Sequence, residues 1–125
     1  TDVTFFKDFY YKNMDAYEVD VITHPAPNLN RKEYKNILQD RYEYLLEINI
    51  ELMLQAAIDH EVKNLILGAW GCGVFNNNPN TVAKIFKEKL RRYRHAFDRV
   101  IFAIINDNNS VENNYQVFNG ILKER

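Results

Sequence analysis

Residues 64–81 read NLILGAWGCGVFNNNPNT. Asn64 to Ala69 is a near-continuous apolar run, the pattern of a parallel strand covered on both faces. Three of the chain's four glycines, Gly68, Gly71 and Gly73, then fall within six residues. Asn78 is a good N-cap and Pro79 suits the first position of a helix. Strand, glycine-rich turn and capped helix in that order make an α/β unit. The turn sits at the carboxyl end of the strand, where sheets of this class bind ligands.

Outward from this stretch the apolar pattern predicts further strands at Val19–Thr23 and Arg99–Ile105, and a weaker one at Thr4–Phe9. Helical spacing covers Arg31–His60, with Tyr34, Ile37, Leu38, Leu45, Ile48, Leu52 and Ala56 as its inward stripe. Asn30 and Glu33 give that segment a capping-box-like start, and its continuity is left open. The helix after Pro79 points Val82, Ile85, Phe86, Leu90 and Tyr93 inward. A last helix from Ser110 to Leu122 does so with Val111, Tyr115, Phe118 and Ile121 or Leu122. The alternation of strand and helix predicts an α/β fold with a mostly parallel sheet, and nothing divides residues 1–125 into two domains.

The 125 residues are 46% hydrophobic and 26% charged, the composition of one ordinary folded domain. With 16 basic against 17 acidic side chains the net charge is −1, so no global field draws the chain to nucleic acid or to an anionic membrane. One cysteine, Cys72, excludes an internal disulfide or a multi-thiolate metal site and suits the cytoplasm. No apolar run approaches the roughly 20 residues of a membrane span. The chain begins at Thr1 rather than Met, which leaves room for sequence upstream.

Glycine lets backbone approach a ligand closely and allows positive φ, so successive amides can converge on an anion, helped by the helix N-terminus that follows. A phosphate or diphosphate is the expected guest. No Lys-Ser or Lys-Thr follows, so this is not a Walker A loop, and the full dinucleotide fingerprint is absent. A tight strand-to-helix turn without a ligand is the plainer alternative.

The run LILGAWGCGVFNNNPNTVAKIFKEKL, with VDVITHPAPN upstream and VIFAIINDN and NNYQVF downstream, resembles the microbial type of poly(ADP-ribose) glycohydrolase, a branch of the macrodomain family. The similarity runs from about Phe5 to Leu122. It implies a macrodomain-like three-layer sandwich and assigns Gly71, Cys72, Gly73, Val74 and Phe75 to ADP-ribose. Most would act through backbone amides, with the Phe75 ring on the distal ribose and Asn76 adding a polar contact. More loosely, it places His24, Pro27, Asn28, Asn106 and Asp107 along the cleft. The resemblance also implies what is not here. The family's Gln-Glu-Glu triplet has no counterpart, since no two acidic residues are adjacent in this chain. The family's N-terminal strands are missing as well, one of which lies between the strands read at Val19–Thr23 and Asn64–Ala69. The chain therefore reads as the C-terminal part of a larger domain, with no catalytic residue of its own. An upstream segment or a second chain would complete its sheet, and ADP-ribose or an ADP-ribosylated macromolecule would be its partner. The alternatives are a non-catalytic interaction module with a vestigial cleft and a binder of another nucleotide.

Other residues invite blander readings. Cys72 lacks a base and reads as a small loop residue rather than a nucleophile. His24, His60 and His95 are too dispersed for a metal site, and no cofactor is implied. Trp70 continues an apolar strand and reads as packing beneath the loop. Lys84, Lys87, Arg91 and Arg94 read as a solvated helix face, and Tyr34, Tyr42 and Tyr44 as core and boundary residues.

Overall fold

The computed structural model describes residues 2–8, 10–105 and 113–123. Its elements run β1 (Asp2–Lys7), β2 (Asn13–Asp20), a 3-10 turn at Lys32–Tyr34, α1 (Gln39–Asp59), β3 (Asn64–Leu67), α2 (Pro79–Arg92), β4 (Arg99–Phe102) and α3 (Asn114–Lys123). The architecture is mixed α/β, as the sequence predicts. β3 and β4 pair in parallel, Leu65 beside Val100 and Leu67 beside Phe102, and the Ala103 amide extends the ladder to the Leu67 carbonyl at 2.7 Å.

Side chains alternate across this pair. Leu65, Leu67, Val100 and Phe102 pack on a core formed by Leu46, Ile50 and Leu54 of α1, Val82 and Phe86 of α2, and Phe118 of α3. The Phe102 ring meets Phe86 edge-on at 5.4 Å and lies 5.7 Å from Phe118, an arrangement aromatic quadrupoles favour. The opposite face carries Ile66, 70% exposed, beside Ile101, 45% exposed.

Expectations are corrected in two segments. The strand placed at Val19–Thr23 is β2, which ends at Asp20 and pairs antiparallel with β1 rather than lying in the parallel sheet. Residues 21–28 run on outside any strand. A local hairpin wins because closing a short loop is cheap, and Asp8 Oδ1 ties the turn by accepting the amides of Tyr10 and Lys12. The Phe5 and Tyr17 rings stack across it at 5.5 Å. β1 ends at Lys7, and Phe9, the end of the strand expected there, lies outside the described residues.

The helix expected over Arg31–His60 begins only at Gln39, after the separate 3-10 turn. The Asn30–Glu33 capping box does not form. Arg31 precedes the 3-10 turn and Leu38 precedes α1, neither with a side-chain cap, and Asn30 is spent on another segment. The buried face of α1 is Tyr42, Leu46, Ile50, Met53, Leu54 and Ala57, a set offset from the expected stripe, of which Ile37 packs against the core ahead of α1 and Tyr34, Leu45 and Ala56 are half-buried. Leu38, Ile48 and Leu52 are exposed. The α2 prediction holds: Val82, Ile85 and Phe86 are buried, with Leu90 and Tyr93 packed against them. The start of the last helix expected at Ser110 and Val111 lies outside the described residues.

Candidate ligand-binding site

Between β3 and α2 the chain makes a sequence of tight turns whose hydrogen bonds are unequally distributed. The Cys72 amide donates to the Ala69 carbonyl, Asn76 to Gly73 and Asn77 to Gly71, each at 3.0 Å. Among the described residues, the amides of Gly73, Val74 and Phe75 donate to no acceptor in the protein. The carbonyl sharing each of those peptide planes is held. Asn114 Nδ2 donates to the Cys72 carbonyl at 3.3 Å, the Asn76 amide to Gly73, and Asn30 Nδ2 to Val74 at 2.6 Å. In a trans peptide the N–H points away from the C=O of the same plane, so tethering the carbonyls turns three consecutive donors away from their tethers. A run of unsatisfied amides in a turn is the kind of group from which anion-binding nests are built.

The glycines divide their labour. Gly71 has φ +73°, and a Cβ there would lie 2.6 Å from Ala26 Cβ and 2.7 Å from Asn77 Nδ2, so conformation and space both demand glycine. Gly73 lies outside the positive-φ region, and a Cβ there would meet nothing within 4 Å. The protein does not need glycine at that position, whereas close approach of a ligand would. Asn76 takes φ +58°, which Asn tolerates better than most residues.

A second segment, residues 24–30, is laced to this loop. The Leu29 amide donates to the Phe75 carbonyl at 3.0 Å, Asn76 Nδ2 to Asn30 Oδ1 at 2.6 Å and Trp70 Nε1 to the His24 carbonyl at 2.9 Å. At the centre is Asn77, 0% exposed. Its Nδ2 donates to the carbonyls of Pro27 at 2.7 Å and Gly71 at 2.9 Å, while Tyr42 Oη donates to its Oδ1 at 3.1 Å. The Asn78 amide donates to Tyr42 Oη at 3.2 Å, and Asn78 Oδ1 accepts the amides of Asn80 and Thr81 to cap α2.

The architecture containing this loop is that of known enzymes. A poly(ADP-ribose) glycohydrolase from Deinococcus radiodurans, solved in complex with ADP-ribose, superposes at a TM-score of 0.85 with 32% identity, over 97% of this chain and 50% of its own. The Thermomonospora curvata enzyme superposes at 0.86 with 30% identity, over 96% of this chain and 44% of its own. This chain is a partial poly(ADP-ribose) glycohydrolase-like domain. It spans about half the length of the structures it matches. No protein-family model and no curated protein matches the sequence.

Within this glycohydrolase-like domain the sequence-derived site residues occupy distinct roles. Gly73 and Val74 are exposed and Phe75 half-buried, beside the free amides. Cys72 turns inward at 3% exposure, with Sγ against the Trp70 carbonyl and its amide committed to Ala69. It reaches the nest through its carbonyl plane. Pro27 is buried and acts through its carbonyl, and Asn28 Oδ1 turns the chain by accepting the Asn30 amide at 3.1 Å. His24 Nε2 lies 2.8 Å from Asn49 Oδ1, with its ring stacked on Trp70 at 6.1 Å. Trp70 is partly buried against the core, as its sequence position predicts. Asn106 and Asp107 lie outside the described residues. The basic helix face is divided: Lys87 Nζ donates to the Ile121 carbonyl, Lys89 pairs with Glu51, and Lys84, Arg91 and Arg94 face solvent.

Sequence reasoning missed Asn77 and Tyr42. Their signal was faint: three successive asparagines precede Pro79, of which only Asn78 can be the N-cap, leaving Asn77 without an assigned task. Among the described residues no helix is long and apolar enough to cross a membrane.

Proposed function

We propose that this chain binds ADP-ribose, with the diphosphate over the amides of Gly73, Val74 and Phe75 and the Phe75 ring against the distal ribose. The observation that carries this reading is the run of three unsatisfied amides whose peptide planes are anchored through their carbonyls. The similarity to a glycohydrolase solved with ADP-ribose supports the choice of ligand.

The reading is one of binding without turnover by these residues. Cleaving a ribose–ribose bond requires a carboxylic acid held against the leaving oxygen as positive charge develops on the sugar. Neither residues 24–30 nor residues 68–78 contain an Asp or Glu. In this reading the acid comes from polypeptide upstream of Thr1, which also supplies a neighbour for the edge of β3 that is unpaired among the described residues.

Titration calorimetry with ADP-ribose, ADP and AMP tests the proposal. A preference for ADP-ribose is expected. Equal heats with all three would make the loop a general nucleotide site, and no heat with any would leave an interaction module. Incubation with poly(ADP-ribose) is expected to release no ADP-ribose above buffer. Release abolished by mutating a carboxylate of this chain would show the chemistry to be misplaced.

A further inference from the structure

We propose that Asn30, Asn77 and Asn114, with Tyr42 behind Asn77, are positioning residues for the nest: without touching the ligand, they set the direction of the amides that do. The proposal rests on the ADP-ribose reading for its ligand, but its geometry is independent of it. Asn114 Nδ2 holds the Cys72 carbonyl and Asn30 Nδ2 the Val74 carbonyl, which fixes the planes carrying the Gly73 and Phe75 amides. Asn77 Nδ2 joins Gly71, at one end of the loop, to Pro27 on the facing segment.

The chemistry of Asn77 leaves no freedom. Two backbone carbonyls can only accept, so both must meet its NH2 group. Its oxygen then faces the Tyr42 hydroxyl, which donates to it and accepts from the Asn78 amide. Every polar group of this buried pair is thereby engaged, and a fully satisfied buried network rigidifies what it touches. Loops are ordinarily mobile, and ordering one on binding weakens affinity. The clasp does that ordering in advance. Gly71 belongs to the same device, since the brace lies too close to allow a Cβ.

Two variants separate positioning from folding. Asn30 is exposed, so Asn30→Ala removes a tether without opening the core. Tyr42→Phe keeps the buried ring and removes only its hydroxyl. Each is expected to weaken ADP-ribose by about threefold to tenfold, the equivalent of one lost hydrogen bond. In the ligand-free protein each should shift the amide resonances of Gly73, Val74 and Phe75 while those of the β1–β2 hairpin stay in place. Asn30→Ala should melt with the wild type. Asn77→Asp, of the same size but without the donors, should behave like Tyr42→Phe or worse. Folded Asn30→Ala and Tyr42→Phe proteins with unshifted loop resonances and unchanged affinity would overturn the proposal. If the wild type itself binds no ADP-ribose, the ligand assignment fails, and the resonances still decide whether the asparagines orient the loop.

Discussion

At residue scale the two glycines of the turn make opposite forecasts. Gly73→Val should fold with a melt like the wild type's, because nothing in the protein lies within reach of the new side chain. It should nevertheless abolish calorimetric ADP-ribose binding, since a branched side chain over the free amides blocks close approach of an anion. Retained affinity in the folded variant would remove the diphosphate from this loop. The usual appeal to positive φ applies only to Gly71. There Gly71→Ala combines a left-handed conformation with contacts well under van der Waals distance to Ala26 and Asn77. It should lower stability by about 2 to 4 kcal/mol in denaturant titration. Phe75→Ala should weaken binding by roughly 1 to 3 kcal/mol through lost apolar contact, with little change in the melt.

At the scale of elements, α2 is determined locally and α1 is not. Asn78 caps α2 through two amides, so Asn78→Ala should destabilise the domain by about 1 kcal/mol in urea unfolding. α1 reads QDRYEYLLEINIELMLQAAID, with apolar residues around most of its circumference. Helical spacing could not choose its inner face. The choice was made by a partner: Tyr42 reaches Asn77, and Glu51 accepts from Tyr93 Oη and pairs with Lys89 of α2 at 3.0 Å. Glu51→Ala leaves a half-buried lysine without its partner and should cost roughly 1 to 3 kcal/mol, read by the same unfolding measurement. Arg92, 3.9 Å from the same carboxylate and largely exposed, adds little.

At the scale of the molecule, β3 is hydrogen-bonded on one edge only among the described residues. Along its other edge runs a groove of about 600 Å³ between the hairpin and the sheet, lined by Phe5, Tyr17, Val19, Met53, Leu54 and Leu65. An apolar edge of this kind invites pairing with another strand. The isolated chain should therefore self-associate at micromolar concentration in sedimentation velocity. Ile66→Lys, on the exposed face, should shift stability by less than about 0.5 kcal/mol and reduce that association. A wild-type chain that stays monomeric with a cooperative melt would show the edge to be tolerated, and would weaken the expectation of a strand from elsewhere.

The sequence by itself determined what depends on neighbours along the chain: β3, the glycine turn, the Asn78-Pro79 start of α2 and the inward stripe of that helix. Capping, alternation and the conformational range of glycine act over a few residues, so single positions carry the signal. The candidate site was legible to the same extent. Its loop could be located and its guest class argued, while the difference between Gly71 and Gly73 and the inward turn of Cys72 could not be read. Tertiary structure decided the rest. The β1–β2 hairpin took the segment expected to join the main sheet, and α1 turned to the face that α2 and Asn77 required. Asn30, a plausible helix cap by spacing, was drawn 44 residues away to the Val74 carbonyl. Each of these outcomes turns on which donor meets which acceptor across segments distant in sequence. No local pattern records that choice, because packing and polar satisfaction are settled only when the segments meet.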